Sequence, residues 1–333
     1  MPPTTQPRPL LLVVDAPSLL HRSHHAGGSG PGGRLDRGGR PVGALHGMLR
    51  QILTVLDDLT PDAVVLGLDD RERSLRAESY PAYKAGRKEK DPELVEQLDR
   101  AGAFLAALGL HAVRPAGLEA DDVSATAATH AGERGWRCTI VTSDRDAFAH
   151  ISDHTSVLRL ITGGIAASPL LTPARLETMY DVPAGLYLEY AALRGDASDN
   201  LPGVDGIGEK TAATLLRLTG SMEAVWEEVE HDGGVLMAAG IDAALDGLGE
   251  RRIGKRVLSC LGADGARERY DFNVSMMSGR TDVDLGLDLA DAGSPDFPGR
   301  LPLDPARVRR VVDHLADPVL TSDALRVLTG VNS

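Results

Sequence analysis

Three short runs built almost entirely of apolar and β-branched residues, LLLVV at 10–14, AVVLGL at 63–68 and CTIVT at 138–142, alternate with longer stretches that repeat at helical spacing. A strand that is apolar at every position needs cover on both faces, the condition of a parallel sheet sandwiched between helices. The helical stretches at 44–56, 93–108 and 120 to about 134 supply that cover, so the chain is predicted to be a layered α/β protein. Past Pro183 strand signals thin out, and 186–193, 209–218 and 308–315 have helical periodicity, so a mostly helical region should follow the sheet. Residues 27–43 carry eight glycines in seventeen positions and are expected to form a mobile loop. No repeat of solenoid type is present.

A chain of 333 residues can bury a substantial core as one large or two smaller domains. Cys138 and Cys260 lie in apolar surroundings without metal-ligand spacing, which suits small core residues in a reducing compartment. The opening MPPTTQPRP lacks the order of a signal peptide, and no apolar run approaches the length of a membrane span, so a cytoplasmic protein is expected. With 35 basic and 48 acidic residues the formal charge is −13, which by itself disfavours nucleic acid as a partner. The distribution is uneven, however. Between Arg71 and Lys90 seven basic residues face three glutamates, a local excess of 7 − 3 = +4. Taken alone, such a run is a solvated charged face.

The acidic residues fall where ligands bind. Asp15 follows the first apolar run, Asp69 the second, and Asp144 and Asp146, in TSDRD, the third. Ligands of open parallel sheets sit beyond the carboxyl ends of the strands, so these four should converge. Glu119, Asp121 and Asp122 in GLEADD open a helix, and Asp196 and Asp199 repeat the three-residue spacing of Glu119 and Asp122. Any one of these acids could be a helix cap or a solvated residue. The set is different: like charges about 4 Å apart cost roughly 4 kcal/mol per pair at an effective dielectric near 20, so the cluster requires compensating cations. Hard oxygen donors without histidine or cysteine point to Mg²⁺ or Mn²⁺, and two ions could share so many carboxylates.

The glycine-rich stretch Gly203-Val204-Asp205-Gly206-Ile207-Gly208 precedes Glu209, Lys210 and Thr211. A Walker loop needs GxxxxGK[ST] directly after a buried strand; here the register misses by one and no strand precedes it. A helix-hairpin-helix turn fits better. Its glycines let backbone N–H groups approach a phosphate at the start of the following helix, gripping a nucleic-acid backbone without reading bases.

These segments resemble the bacterial 5′-nucleases, comprising the N-terminal 5′–3′ exonuclease domain of DNA polymerase I and its stand-alone flap endonuclease relatives. The resemblance runs through VVDAPSLLHRSHHA (13–26), RPVGALHGM (40–48), LDDRERSLRAESYPAYKAGR (68–87), GLEADDV (117–123), TSDRDAF (142–148) and LRGDASDNLPGVDGIGEKTA (193–212). It continues more weakly through SGRTDVDL (278–285) and VRRVVDHLADPVL (308–320). The absence of a polymerase domain suggests a stand-alone nuclease.

The resemblance implies a PIN-like, Rossmann-like, mostly parallel sheet flanked by helices, with a helical arch around 71–100 and a helix-hairpin-helix (helix-three-turn-helix) region. It divides the chain into a nuclease core at 8–185, a DNA-binding region at 186–275 and an extension at 276–333 packing on the core. The implied activity is two-metal hydrolysis of DNA at a 5′ flap, nick or 5′ end, in replication and repair. Asp15, Asp69, Glu119 and Asp121 would surround one divalent cation, and Asp122, Asp144, Asp146, Asp196 and Asp199 the other. One ion would make a nucleophile of bound water and both would stabilise charge on the phosphate. Lys84 and Arg87, three apart and so on one face of a helix, would face that phosphate, as would Arg22; Tyr83 would stack on the terminal base. Arg76, Gly203, Val204, Gly206, Ile207, Gly208, Lys210 and Thr211 would contact DNA, with K⁺ at the hairpin carbonyls of 201–207. A nucleoid-associated monomer is expected. Departures from the pattern are Ala16 for glycine and His21, His24, His46 and Met48 for aromatics, which weakens a stacking role there; no carboxylate position is lost. The competing readings are an RNA-processing metal-dependent nuclease and a DNA-binding protein with a vestigial site.

Overall fold

The computed structural model describes residues 8–28 and 33–331; the segment read for a signal peptide up to residue 7 and the middle of the glycine-rich loop, 29–32, lie outside the described residues. The three apolar runs are strands β1 (Leu10–Asp15), β2 (Ala63–Gly67) and, after the two-residue β3 (Ala112–Val113), β4 (Arg137–Thr142). With β5 (Thr155–Arg159) and β6 (Leu170–Leu171) they form one sheet of order β3-β2-β1-β4-β5-β6, parallel except for the last pair. Alternation along β1 sends Leu11 and Val13 into the core on one face and Leu12 and Val14 into the core on the other. All four are fully buried, each worth roughly 1.5–3 kcal/mol of transfer free energy, which is why the run carries no polar position.

One face is covered by α1 (Ala16–Ser23), α2 (Gly43–Leu59) and α4 (Pro92–Leu108), with the one-turn α3 (Leu75–Ser79) between the last two. Asp91 and Pro92 start α4 and Gly109, in the left-handed region at φ 98°, stops it, as that sequence order dictates. The start of α2 has no cap of its own: the buried amide oxygen of Gln97 on α4 accepts from the N–H groups of Ala44 and Leu45 at 2.8 and 3.2 Å. The other face is covered by α5 (Ala120–Glu133) and, beyond α6 (Pro173–Tyr180), by the helical region. That region comprises α7 (Tyr187–Arg194), the short antiparallel pair β7 (Gly195–Asp196) and β8 (Leu201–Pro202), α8 (Glu209–Thr219), α9 (Met222–Asp232), α10 (Val235–Leu248), α11 (Gly254–Leu261) and α12 (Ala266–Met277). Finally α13 (Pro305–Val312) and α14 (Pro318–Thr329) return to the first face, where Val308, Val312 and Leu328 share a core with Leu105.

The glycine-rich segment is more ordered at its described ends than its composition suggests. His24–Gly28 continues α1 as a widened turn, and Leu35 bridges to Pro41 around Asp36. The Asp36 carboxylate accepts from the N–H groups of Gly38 and Arg40 and from Arg100, supplying the acceptors that glycine cannot. His46 donates from Nε2 to the Asp317 carboxylate at 2.9 Å, tying α2 to the start of α14, and Met48 is in the core, so both positions are structural. Among the described residues no helix is long and apolar enough to cross a membrane.

Candidate active site

The chain adds β2 and β3 on one side of β1 and β4 and β5 on the other, so a crevice opens above the ends of β1 and β4. Asp15 ends β1 there. Its carboxylate caps α1 by accepting from the Ser18 N–H at 2.9 Å and accepts from the Thr142 hydroxyl at 2.6 Å. Asp69, just beyond β2, accepts from the Ala120 N–H at 3.0 Å at the start of α5. That approach depends on Gly67, where a Cβ would stand 3.0 Å from the Ala120 carbonyl oxygen. Asp121 lies in the first turn of α5, and Asp144 follows β4 with its carboxylate accepting from the Asp146 N–H at 3.0 Å. Asp15, Asp69, Glu119, Asp121 and Asp144 line one cavity of about 200 Å³.

Asp144 also lines a second cleft of about 580 Å³, with Arg145, Arg194 and Asp196. Asp196 accepts from the N–H and hydroxyl of Ser198, both at 2.7 Å. Asp199 is buried and paired with Arg87, with the Lys84 ammonium 3.7 Å away. Asp146 feels Asp144, Asp196 and Asp199 together.

Burial and mutual repulsion make these carboxylates weak acids. Burial drives Asp15 up to about 7, opposed by the Thr142 and Ser18 bonds and assisted by Asp69 and Asp144. Asp146 rises to about 8 through burial and then Asp144, Asp196 and Asp199. Asp121, Asp144 and Asp69 rise for the same first reason, although each keeps some exposure to the cavity. Among the described residues no three histidine, cysteine, aspartate or glutamate side chains are closed into a metal cage. Glu119 and Asp199 are instead turned to Lys84 and Arg87. The donor chemistry nevertheless suits hard divalent cations, since Mg²⁺ is bound through one or two carboxylates and retains waters.

A raised folded-state pKa gives stability that is present below the ordinary carboxylate range and lost as pH climbs through about 7 to 8. Chelator-treated protein should therefore melt higher near pH ~5 than near pH ~8, each ~1 kcal/mol shifting Tm by roughly 2–4 °C. Added Mg²⁺ should restore the loss at the higher pH; calorimetry that finds no pH dependence and no Mg²⁺ response would contradict this electrostatic picture.

Several expected site residues are employed differently. Asp122 is fully buried, and all its acceptor positions are filled by Arg76 (2.8 and 2.9 Å), the Glu119 N–H and the Arg280 N–H, both at 2.9 Å. Burial alone would raise its pKa, but the Arg76 bonds hold it below the ordinary value. It is a structural acid rather than a metal ligand, and Arg76, which also donates to the Met276 carbonyl, is not free for DNA. Tyr83 is buried, with its hydroxyl donating to Glu119 at 3.0 Å and the Lys84 ammonium 4.6 Å from its ring centre, so its face is not offered to a base. Arg22 donates to the Ile161 carbonyl beyond β5 and does not line the acidic cavity.

Lys84 and Arg87 do line it, but not from a helix: the segment after α3 is a series of turns, with Lys84 at φ 57°. That left-handed residue is held by its N–H bond to the Asp199 carbonyl (3.1 Å) and by Asn200, whose amide donates to the Ala82 carbonyl (3.0 Å). Lys84 reaches Glu119 at 2.9 Å; burial pulls its pKa down, but Glu119, Asp199 and Asp121 together keep it above the ordinary lysine value. His21 and Lys90, not singled out in the sequence as site residues, line the same cavity. For Lys90 the only sequence signal is its place three residues beyond Arg87 in the basic run.

The glycine hairpin joins α7 to α8. Gly203 is required by packing, since a Cβ would lie 2.2 Å from the Arg194 carbonyl oxygen. Val204 and Ile207 are buried anchors, whereas Gly206 (φ 80°), Gly208 and Lys210 are exposed and Thr211 is half-buried at the start of α8. No atom would meet a Cβ at Gly208, so the backbone there is open to an approaching group. Arg256 on α11 braces the turn by donating to the Gly206 carbonyl at 2.8 Å.

Comparison with known proteins agrees with this arrangement. Residues 10–181 match the N-terminal resolvase-like domain of 5′-3′ exonucleases, and residues 182–250 match the C-terminal SAM fold of the same proteins. The chain is 35% identical over 230 residues to DNA polymerase I of Mycobacterium tuberculosis and 37% identical over 231 residues to the thermostable DNA polymerase I of Thermus aquaticus, each match covering 69% of this chain. It spans about a quarter of the length of those polymerases, 25% and 26%. Among solved structures, a bacteriophage T5 flap endonuclease in a pseudo-enzyme-product complex with DNA and metal ions superposes with a TM-score of 0.60 at 17% identity, covering 92% of this chain and 100% of that one. The catalytic core of Rad2 in complex with DNA substrate gives 0.55 at 16% identity, covering 97% and 93%. These two share the fold. Since the N-terminal match alone takes in more than half of the residues and the acids at the strand ends stand where its sheet topology directs them, the chain belongs to the 5′-3′ exonuclease family.

Proposed function

We propose that this protein is a structure-specific 5′-nuclease that hydrolyses DNA phosphodiesters at 5′ flaps, nicks and 5′ ends with two divalent cations, Mg²⁺ or Mn²⁺. The observation that carries the reading is the convergence of Asp15, Asp69, Asp121 and Asp144 on one cavity, with nothing but oxygen donors among the acids. Asp15, Asp69, Glu119 and Asp121 would hold one ion, and Asp144, Asp146, Asp196 and Asp199 the other. Such ions, when bound, lower the pKa of a water and neutralise charge developing on the phosphate. The T5 flap endonuclease and Rad2 structures, which contain DNA, support DNA as the substrate.

The protein's own groups prepare the site. Thr142 and the Ser18 N–H fix the Asp15 carboxylate, and the Asp146 N–H fixes that of Asp144. Lys84 and Arg87, resting on Glu119 and Asp199, are poised to exchange those carboxylates for the scissile phosphate. Gly206, Gly208, Lys210 and Thr211 would grip a phosphate of the backbone further along, within a DNA-binding region at 186–275; 8–185 would be the nuclease core, and 276–333 its packing extension. Of the carbonyls at 201–207 that would hold K⁺, Pro202 also accepts from Asn273, Val204 from the Ile207 N–H and Gly206 from Arg256, so the ion would share these oxygens with those donors.

A cleavage assay comparing 5′-flap, nicked and single-stranded DNA, with product ends mapped and a matched RNA flap alongside, tests the reading. Mg²⁺-dependent cleavage near the flap junction of DNA is expected. No product from any DNA at ample enzyme and metal would reject it, and preference for RNA would favour an RNA-processing enzyme. Lys84→Ala should lower kcat by roughly 10²–10³-fold while Kd for the flap changes less than ~3-fold. Equal losses in both would remove Lys84 from the chemical step.

A further inference from the structure

Helix α10 is apolar well beyond the face it buries. Only Asp242 and Asp246 of its fourteen residues are polar. Ala238, Ile241 and Leu245 are buried, while Val235, Leu236 and Leu248 remain 59%, 72% and 57% exposed, three of the eight large exposed apolar side chains among the described residues. A single exposed leucine is ordinary, but a helix apolar on both sides belongs in an interior. Leu236 borders an open groove of about 450 Å³ between α9, α10 and the end of α8, with Leu218, Val225, Met237 and Ile241 along it. Ala244 lines it too, and Leu248 follows on the same side of α10, so Met237, Ile241, Ala244 and Leu248 form a seam at helical spacing. A Cβ added at Gly240 would meet no atom within 4 Å, so nothing in this chain fills the groove there.

Charge selects the occupant. From Leu218 to Glu250 the sequence has eight acidic residues and no lysine or arginine, 0 − 8 = −8. Arginines outside that segment pair with some of them: Arg217 with Glu250, Arg252 with Asp246, and Arg267 with Glu223 and Glu230. Glu228, which lines the groove, and its neighbour Glu227 are exposed and have no ion pair among the described residues. Phosphates are repelled by such a rim, which excludes DNA from this face. A second copy docked symmetrically would set the same acids against each other. We propose that the groove between α9 and α10 docks a protein partner through an amphipathic helix whose apolar stripe is flanked by lysine or arginine. The inference goes beyond the nuclease reading and does not depend on it. The eleven residues of α8 carry the proposed phosphate grip at their start and border the groove at their end, roughly 16 Å away, so the two surfaces are separate.

The probe is a fluorescent synthetic helix of roughly 15 residues with leucine at i, i+3, i+4 and i+7 and lysine on the rest of its surface. Anisotropy with the full chain should give Kd on the order of 10 μM, weakening as salt is raised. A scrambled peptide of the same composition, and one with glutamate for every lysine, should each bind at least about tenfold more weakly. Leu236→Ser should weaken the leucine-lysine peptide roughly tenfold. Gly240→Arg, which fills the groove and brings a cation to the acid-lined wall, should weaken it at least as much. Arginine is the better helix former, so this variant should keep or raise Tm and its loss of binding cannot be unfolding. Equal binding of the scrambled peptide, or unchanged binding by both variants, would reduce the attraction to net charge and overturn the proposal. Leu236→Ser should leave Kd for 5′-flap DNA in chelator within about threefold of the wild type. A larger loss would give the face to DNA, and a dimer in sedimentation that Leu236→Ser abolishes would give it to a second copy; either result overturns the assignment to a basic helix.

Discussion

Asp144→Asn is expected to abolish cleavage of a 5′-flap DNA, with kcat falling by about 10³-fold or more, while DNA binding should stay within about threefold. Asp144 is the one acid shared by the cavity that holds Asp15 and Asp121 and by the cleft that holds Asp196, so its charge serves both proposed ion positions. Asparagine keeps the shape and an oxygen to accept from the Asp146 N–H, leaving local geometry intact. The same change should stabilise the metal-free protein near neutral pH. Burial holds the Asp144 pKa up, and its charge raises Asp15, Asp121 and Asp146 in turn, so removing it relieves all four. Activity and stability thus move in opposite directions, the trade-off expected of a site built from repelling charges. Residual cleavage above a few per cent, or a lower Tm in chelator, would show that Asp144 is an ordinary surface acid.

Arg76→Ala should cost roughly 3–5 kcal/mol of folding stability, read as a shift in the urea midpoint at constant slope. The arginine is mostly buried, makes a two-pronged bond to a fully buried carboxylate, and also donates to the Met276 carbonyl that ends α12. Removing it strands Asp122 without its counter-charge, and the cost is mainly that buried anion. The double variant Arg76→Met with Asp122→Asn should recover part of the loss, since it leaves no uncompensated buried charge and the amide oxygen still accepts from one of the two backbone N–H groups, of Glu119 and Arg280, that the carboxylate served. A single variant within ~1 kcal/mol of the wild type would mean that Asp122 picks up water or a proton cheaply, and that the pair is not what joins α5 to α12.

The chemistry of β1, β2 and β4 was readable because strands buried on both faces leave a continuous apolar signature, and the residue after such a run stands at a strand end. The helices at 44–56, 93–108 and 209–218 were readable from their period, and appear at Gly43–Leu59, Pro92–Leu108 and Glu209–Thr219. By contrast β5 carries Thr155, Ser156 and Arg159 in five positions, and β3 and β6 have two residues each; their pairing comes from neighbours, not from their own composition. The spacing of Glu119 and Asp122 placed them on one helix side, yet Glu119 meets Lys84 at the cavity while Asp122 turns inward to Arg76 and Arg280. Nothing in GLEADD distinguishes those fates.

By itself, then, the sequence determined the three apolar strands β1, β2 and β4, the succession of acids at their ends and the glycine hairpin, because backbone period and residue type act locally. Tertiary structure alone decided which of those charges are spent on each other. Whether Asp122 is a buried partner, Tyr83 a packed ring, and Lys84 a cation paired with Glu119 depends on what lies within a few ångströms across the fold, and Coulomb and hydrogen-bond energies change over that range by more than any local preference.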